Sequence, residues 1–258
     1  MTTAHDFAQR LAQWPAMADV FNPWSQADER DRPGANAALI RRQQLAAYID
    51  ARRSKARVIL IAEALSCRGG RFTGIAMTSE RILLGNDTVL NRLAASSDAS
   101  PPPDYLPGRA SRTSNPGELS RGTDREYGVY ERTASIVWRT MLANGFGPME
   151  FALWNAFPFH PFITGNAQSN RRPSGCELRE TGQILPDFIG LFPHAVWFVA
   201  LGREAESALP DHLAPSAVKH ARHPAARAIR PSESTSRGKE SPMRMLGEVI
   251  REIAQSGR

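Results

Sequence analysis

The sequence predicts an α/β protein built as a three-layer α/β/α sandwich around a central four-stranded parallel sheet. Two observations support this fold class. Short apolar runs of strand length alternate along the chain with longer segments in which apolar residues recur at helical spacing. Strands that alternate with helices in this way form parallel sheets covered on both faces. The length of 258 residues is enough for one domain with a full core.

The first third of the chain is predicted to contain one strand between helices. Residues 1–35 are mixed in character and are expected to form an irregular N-terminal lead-in, which leaves 36–258 as a single domain. The other elements are a helix over 36–53 capped by Asn36, a strand over 57–62, a helix over 79–94 weakened by Gly85, and a long surface loop over the Ser-, Pro-, Gly- and Arg-rich residues 96–124.

Three further strands and the helices between them are predicted in the rest of the chain. We expect an amphipathic helix to close it, with Pro242 in the first turn. The elements are a helix over 124–145, a strand over 151–157, a helix over 175–192 that Pro186 ends or kinks, a strand over 194–202, a short helix from Arg203, a short strand that begins at 216, and the helix over 242–255.

Composition places the protein among ordinary globular chains, with 41% hydrophobic and 22% charged residues. No apolar stretch is long enough to cross a bilayer, and the N-terminus lacks the layout of a secretion signal. A cytoplasmic location is therefore expected. Cys67 and Cys176 are too few for a disulfide framework or an iron–sulfur site, so we expect neither a metal nor another cofactor. A small apolar filler is the favoured role for Cys67, ahead of a reactive thiol.

The net charge of +6 favours a polyanionic partner such as nucleic acid. A second explanation competes with it. The basic residues are almost all arginine, with lysine only at Lys55, Lys219 and Lys239, and a GC-rich genome produces the same bias. Charge alone does not decide between these explanations.

Three turns that follow predicted strands carry unusual polar residues, and parallel sheets bind ligands at the carboxyl ends of their strands. These turns are 62–76, 155–162 and 220–230, and we expect them to face one crevice. The first contains "AEALSCRGGRFTG", whose glycine spacing fits neither of the two common phosphate-binding patterns. The spacing alone leaves the ligand of this turn open.

Each candidate side chain in these turns has a structural alternative. Asn155 either caps local backbone or reads one edge of a nucleobase, since an amide offers both a donor and an acceptor. Phe72 belongs either to the core or to a surface that stacks on a base. His220 and His223, on either side of Arg222, are better than average candidates for holding an anion, whereas His160 is expected to brace its own turn.

The order of these motifs resembles the uracil-DNA glycosylase superfamily. The motifs are "AEA" followed by "GRFTG" after the first predicted strand, "NAFP" at the end of the second, "NRRPSGCEL" at 170–178, "ALGREA" at 200–205 and "HP" at 223–224. The resemblance is closest to the bacterial and archaeal branch whose first motif is G-E-A-P-G, and it covers about residues 57–250. It implies a glycosylase that flips uracil out of DNA and hydrolyses its N-glycosidic bond in base excision repair.

The resemblance also implies roles for individual residues. Phe72 would stack on the uracil, Asn155 would read its polar edge, and His223 would donate to the charge developing on its O2 oxygen, assisted by the backbone of Glu63 and Ala64. The catalytic set would be His223, Glu63 and Asn155. The phosphate and groove contacts would come from Arg71, His220, Arg222, Arg227 and Arg230, with the last three in or beside the "HPAARAIR" loop. Residues 107–125 would add backbone contacts or, as the favoured alternative, form a solvated tether.

Two departures from the family pattern leave questions open. Many members carry Asp or Asn at the position of Ala64, where it activates water, so water activation falls here to Glu63, to His223 or to no general base. The cluster-binding cysteines of the nearest branch are missing. The alternatives are a catalytically silent DNA-binding relative, a glycosylase for other deaminated bases, or a small-molecule nucleotide-binding enzyme. The expected partner is uracil-containing DNA, bound by a monomer that associates with the nucleoid when acting.

Overall fold

A computed structural model of the chain describes residues 2–95, 104–106, 108–224 and 242–256. Within these ranges the strands are β1 (Val20–Phe21), β2 (Val58–Ala64), β3 (Phe151–Phe157), β4 (His160–Pro161), β5 (Trp197–Leu201) and β6 (Val218–Ala221). The helices are α1 (Ala4–Ala12), α2 (Ala37–Arg52), α3 (Gly70–Thr73), α4 (Glu80–Leu83), α5 (Thr88–Ala94), α6 (Gly122–Tyr127), α7 (Arg132–Ala143), α8 (Gly175–Thr181), α9 (Ile184–Ile189), α10 (Arg203–Ala208) and α11 (Pro242–Ser256), with 3-10 turns at Pro116–Glu118 and Pro215–Ala217.

Four strands form a parallel sheet in the order β3-β2-β5-β6, flanked by helices, which confirms the predicted α/β fold class. Every residue of β3 is buried, so helices cover both faces of the sheet there. Burying a Val, Leu, Ile or Phe side chain stabilises a fold by about 1.5–3 kcal/mol, which explains why β2 and β3 are rich in apolar residues. β1 and β4 form a separate antiparallel pair.

The N-terminal segment is more regular than the sequence predicts. Residues 4–12 form α1 where irregular chain was expected, and Thr3 caps this helix through a reciprocal hydrogen-bonding arrangement with Asp6. Phe7, Leu11 and Trp24 are fully buried in the main core. The prediction of an irregular lead-in was wrong because α1 is short, so its helical pattern is weak in the sequence. Its apolar side chains are buried only by packing against residues that are distant along the chain.

Two helices that were predicted as continuous are each broken at a glycine. Gly85, with φ of +72°, separates α4 from α5, and Gly128, with φ of +87°, separates α6 from α7. A left-handed backbone conformation costs residues with a side chain about 1–2 kcal/mol and costs glycine almost nothing. The predicted helix over 175–192 is also divided, but at Gly182–Gln183, while Pro186 lies inside the first turn of α9, where its missing N–H would have no helical partner.

The predicted surface loop over 96–124 is partly buried. Residues 96–103 lie outside the described residues, but Tyr105 and Leu106 are buried in the core. The carboxylate of Glu80 accepts hydrogen bonds from the backbone N–H groups of Thr113 and Ser114, both at 2.8 Å, and from the Ser114 hydroxyl. The preference for a solvated tether over 107–125 was therefore wrong for this part, because a buried carboxylate fixes it to the domain.

Candidate active-site cavity

The carboxyl ends of the parallel strands meet at one edge of the sheet. Ala62 of β2 lies opposite Asn155 of β3, and Leu201 of β5 lies opposite Ala221 of β6. The residues that leave these strands border a cavity of about 350 Å³, enough for about ten water molecules. Its walls are formed by Ala62, Glu63, Ala64, Leu65, Ser66, Arg68, Met77, Glu131, Arg132, Thr133, Asn170, Arg171 and His223.

Asn155 lies behind this cavity, next to Ala62 in the sheet. Its side chain is almost fully buried, with 2% of the residue exposed, and its Oδ1 atom accepts no hydrogen bond from the part of the chain that the structure describes. An unpaired buried amide oxygen costs about 1–3 kcal/mol, and most buried polar atoms have a partner. Asn155 thus holds an acceptor in place without the donor that would satisfy it, so of the two alternatives for this side chain a backbone cap through Oδ1 does not form among the described residues.

Glu63 of β2 and His223, which follows β6, both line the cavity, and the sequence analysis placed both in turns that face one crevice. Burial lowers the pKa of His223, while nearby Glu204 opposes this shift. Burial raises the pKa of Glu63, and a hydrogen-bonded contact with Glu204 raises it further. Glu204, in the first turn of α10, also forms an ion pair with Arg172 at 3.1 Å. His223 is therefore neutral near pH 7, and Glu63 shares its surroundings with a second carboxyl group.

Glu131 is a cavity residue that the sequence analysis missed. It immediately precedes α7, is 9% exposed, and carries an Oε2 atom that has no hydrogen-bond partner within the described ranges. The carboxylate packs against the backbone of Gly69, where an added Cβ atom would lie 1.7 Å from Oε2. Burial raises the pKa of Glu131 to about 7, although Arg68 opposes the shift. The only hint in the sequence is a charged residue just after Gly128, inside what was predicted as one helix.

The turn after β2 does not present Phe72 and Arg71 as predicted. Phe72 is 3% exposed, lies in α3, and is not among the residues that line the cavity. Arg71 is fully buried, forms an ion pair with Asp28, and places its guanidinium carbon 4.8 Å from the centre of the Phe72 ring. In this conformation Arg71 cannot contact a DNA phosphate, and Phe72 belongs to the packing beneath the turn.

Buried polar groups hold this turn in place. Arg41 donates hydrogen bonds to the carbonyl oxygens of Phe72, Pro23 and Gln26 and forms an ion pair with Asp31. The hydroxyl of Thr113 donates to the Phe72 carbonyl oxygen at 2.5 Å. Each polar partner comes from a different part of the chain, so the turn is fixed from several directions.

His160 braces the neighbouring backbone, as predicted. Its Nδ1 atom lies 3.0 Å from the carbonyl oxygen of Leu65, and its Nε2 atom lies 3.3 Å from that of Ala167. Burial lowers the pKa of His160 to about 4, so the ring is neutral near pH 7. A neutral imidazole has one N–H. The shorter contact favours the form in which Nδ1 carries this hydrogen and donates it to the carbonyl oxygen of Leu65, a residue that lines the cavity.

Apolar contacts in the cavity come from Leu65 and Met77. Met77 has φ of +46°, and its carbonyl oxygen accepts a hydrogen bond from the indole of Trp138 at 3.1 Å. A non-glycine residue in this conformation persists only where its surroundings fix it, and such residues cluster at ligand sites. Asn170, part of the quoted "NRRPSGCEL", accepts a hydrogen bond from the Cys67 N–H at 2.9 Å.

Cationic side chains surround the opening. Arg68 is paired with Asp124, and Arg171 with Glu177 at 2.6 Å. Arg132 is exposed, and no carboxylate among the described residues forms an ion pair with it. The sequence analysis assigned no role to Arg132, which is better placed for phosphate than the buried Arg71.

The remaining predicted DNA contacts are only partly described. His220 lies on β6, half exposed, with Nδ1 3.6 Å from a carboxylate oxygen of Glu206. Arg222 is half-buried and is not among the residues that line the cavity. Arg227 and Arg230 lie outside the described residues. The insertion loop that the resemblance implies therefore stays a prediction.

The two cysteines are not linked to each other. Cys67 is buried, and burial raises the pKa of its thiol, so the interpretation as a packed side chain fits its position. In the described ranges, no group of three His, Cys, Asp or Glu side chains is arranged to hold a metal ion. None of the helices in the described part of the chain has both the length and the apolar character needed to cross a membrane.

Comparison with known proteins finds similarity in the fold. No protein-family model matches the chain, and no curated protein matches it. Among solved structures, the crystal structure of wild-type SMUG2 from Pedobacter heparinus matches with a TM-score of 0.54 and 12% sequence identity, over 100% of this chain and 99% of that one. The chain thus shares the overall fold of that protein from end to end.

Proposed function

We propose that the protein is a DNA glycosylase that hydrolyses the N-glycosidic bond of uracil flipped out of DNA, leaving an abasic site. The observation that carries this proposal is the unpaired, buried Oδ1 of Asn155 beside the cavity at the strand ends. A similar fold in SMUG2, a protein of the uracil-DNA glycosylase superfamily, supports it. The five motifs that resemble this superfamily support it as well.

Recognition of the base depends on the amide of Asn155. Its Oδ1 atom would accept a hydrogen bond from the ring N–H of uracil, and its Nδ2 atom would donate to the adjacent carbonyl oxygen. Leu65 and Met77 would contact the face of the ring, since a thioether packs well against aromatic surfaces. Flipping the base out of the duplex costs a few kcal/mol, and these contacts would offset that cost.

Cleavage of the bond leaves negative charge on the uracil, which preorganised donors can stabilise. A donor aimed at developing charge contributes about 3–4 kcal/mol. We assign this role to His223, assisted by the backbone of Glu63 and Ala64. Because burial lowers the pKa of His223, its ring would donate a hydrogen bond from the neutral form and would not need to transfer a proton.

DNA phosphates would be held by arginines outside the cavity. Arg132 is exposed at the opening, and Arg222, Arg227 and Arg230 follow β6 in sequence. Counterion release would make binding steeply dependent on salt concentration. A mononucleotide-binding enzyme would show little such dependence, so a salt titration separates these two functions.

The decisive experiment is excision from oligonucleotides that carry uracil opposite guanine, uracil opposite adenine, or uracil in a single strand, followed by alkaline cleavage. We expect strand breaks at uracil with the native protein. Asn155→Ala should lower the excision rate by at least a hundredfold, because the bidentate contact that recognises the base is lost. Asn144→Ala is the matched control, since Asn144 lies at the amino end of β3, beyond the C-terminus of α7.

Two results would contradict the proposal. DNA binding without abasic product from any of the three substrates would indicate a catalytically silent relative. Equal excision by Asn155→Ala and Asn144→Ala would show that the cavity beside Asn155 does not receive the base.

A further inference from the structure

Hydrolysis of a glycosidic bond needs a water molecule, and Ala64 provides no polar side chain to activate it. Among the described residues that line the cavity, the carboxyl groups belong to Glu63 and Glu131. They differ in their partners. Glu63 lies near Glu204, whose charge adds to burial in raising the pKa of Glu63 and which is itself held by Arg172 at 3.1 Å. Among the described residues, the Oε2 atom of Glu131 has no hydrogen-bond partner.

The position of the Glu131 carboxylate is set by its surroundings. Its residue is buried to more than nine-tenths, and the missing side chain of Gly69 leaves the space that the carboxylate fills. Thr133 and Arg132, which follow it in α7, line the same cavity. Glu131 itself lines the cavity, and a carboxylate that lines a cavity large enough for water can act as an acceptor for a water molecule bound there.

We propose that Glu131 is the catalytic base that takes a proton from the attacking water. This inference rests on the proposed glycosylase function and extends it. As the bond between C1′ and the base nitrogen breaks, its electron pair leaves with the base, which departs as an anion. The water oxygen forms a bond to C1′, and the water proton passes to the Glu131 carboxylate. The products are an abasic sugar with a C1′ hydroxyl group, a base anion and a protonated Glu131.

The charged groups around Glu131 are compatible with this role. Arg68 and Cys67 face it from the turn after β2, Arg132 is its neighbour in sequence, Asp124 of α6 is paired with Arg68, and Glu63, Arg171 and His223 lie across the cavity. Burial raises the pKa of Glu131 to about 7. A general base acts best when its pKa lies near the working pH. Slightly above neutral pH, the Glu131 carboxylate is therefore ionised and still basic enough to accept a proton from water.

The test is the pH dependence of single-turnover excision of uracil, with DNA binding measured in parallel. For the native protein we expect a rate that rises with pH through about 7 and then levels off. Glu131→Gln keeps the shape and a hydrogen-bonding group, so it should bind uracil-containing DNA normally. It should excise on the order of a hundredfold more slowly, and the rise near pH 7 should vanish.

Two further carboxylates provide comparisons. Glu180→Gln changes an exposed carboxylate on α8 and should leave both rate and profile unchanged. Glu63→Gln tests the competing base: if the rise near pH 7 vanishes in this variant and persists in Glu131→Gln, the assignment to Glu131 is overturned. A native rate with a native profile in Glu131→Gln overturns it as well.

Gly69→Ala tests the same idea with Glu131 intact. The added methyl group must displace the end of the Glu131 side chain, because its Cβ would lie 1.7 Å from Oε2. We expect a rate loss of at least tenfold with unchanged DNA binding. An unaltered rate in a folded Gly69→Ala protein contradicts the proposal. If the native protein excises no base at all, the proposed function itself fails, an outcome distinct from any of these.

Discussion

Replacing Glu131 by glutamine should stabilise the fold above neutral pH while it removes activity. Burial holds the pKa of Glu131 at about 7 in the folded protein, against an ordinary value of 4.5. The folded state therefore binds more protons than the unfolded state between these two values. The stability that the protonated carboxyl group provides is fully present below pH 4.5 and is lost as the pH rises through about 7.

The size of the effect follows from the difference between the folded and unfolded pKa. A difference of one pKa unit between the two states corresponds to about 1.36 kcal/mol. A change in the pKa of Glu131 from 4.5 to about 7 therefore corresponds to about 3 kcal/mol. Glutamine does not titrate. The free energy of unfolding of Glu131→Gln, relative to the native protein, should therefore increase by up to about 3 kcal/mol between pH 4.5 and pH 8.5.

Urea denaturation at several pH values measures this difference directly, because the midpoint and slope give the free energy of unfolding. Glu180→Gln serves as the control for removing a carboxylate from an exposed position. A difference between Glu131→Gln and the native protein that stays constant from pH 4.5 to 8.5 would refute the reasoning. It would mean that the Glu131 carboxylate is solvated or paired, and that it is not held unsatisfied in the cavity.

Two further predictions concern the turn after β2. Arg41→Met should lower the free energy of unfolding by about 3–5 kcal/mol, because Asp31 would remain buried without its partner. Urea denaturation measures this loss, with Arg92→Met as a control at an exposed position. Equal losses in the two variants would contradict the structural role of the Arg41–Asp31 ion pair. Phe72→Ala should cost about 3–5 kcal/mol and leave the affinity of the folded protein for uracil-containing strands nearly unchanged in a binding titration. A fall in affinity without a fall in stability would instead indicate that Phe72 contacts the DNA base, as the sequence analysis predicts.

Strands and long helices of this fold are visible in the sequence, because their burial pattern is local. The runs that became β2 and β3 are apolar except for Glu63 and Asn155. Asn36 caps α2 by accepting a hydrogen bond from the Leu39 N–H at 3.1 Å, as its position suggests. Helix breaks at Gly85 and Gly128 were not predicted, because apolar spacing continues across them. What ends each helix is a left-handed backbone conformation, which periodicity does not reveal.

The candidate site was predictable where a residue lies at or near the carboxyl end of a strand. Glu63 and His223 reach the cavity, and Asn155 lies beside it, because parallel strands bring their carboxyl ends together. Arg71 was misplaced because its partner, Asp28, lies in a segment for which no contact was expected. Glu131 was missed because its position depends on packing against Gly69, a contact between residues far apart in sequence.

The turn after β2 is held by Arg41 and Thr113, with Leu65 fixed by His160. Ordering a loop during association reduces affinity, but here the ordering is complete once the polypeptide has folded. A ligand therefore meets, on this side of the cavity, a wall that is already shaped, and molecules of the wrong outline are excluded there by steric overlap. Selectivity that depends on this wall should persist at low temperature and in small fragments of substrate, since the turn after β2 does not have to be ordered by the ligand.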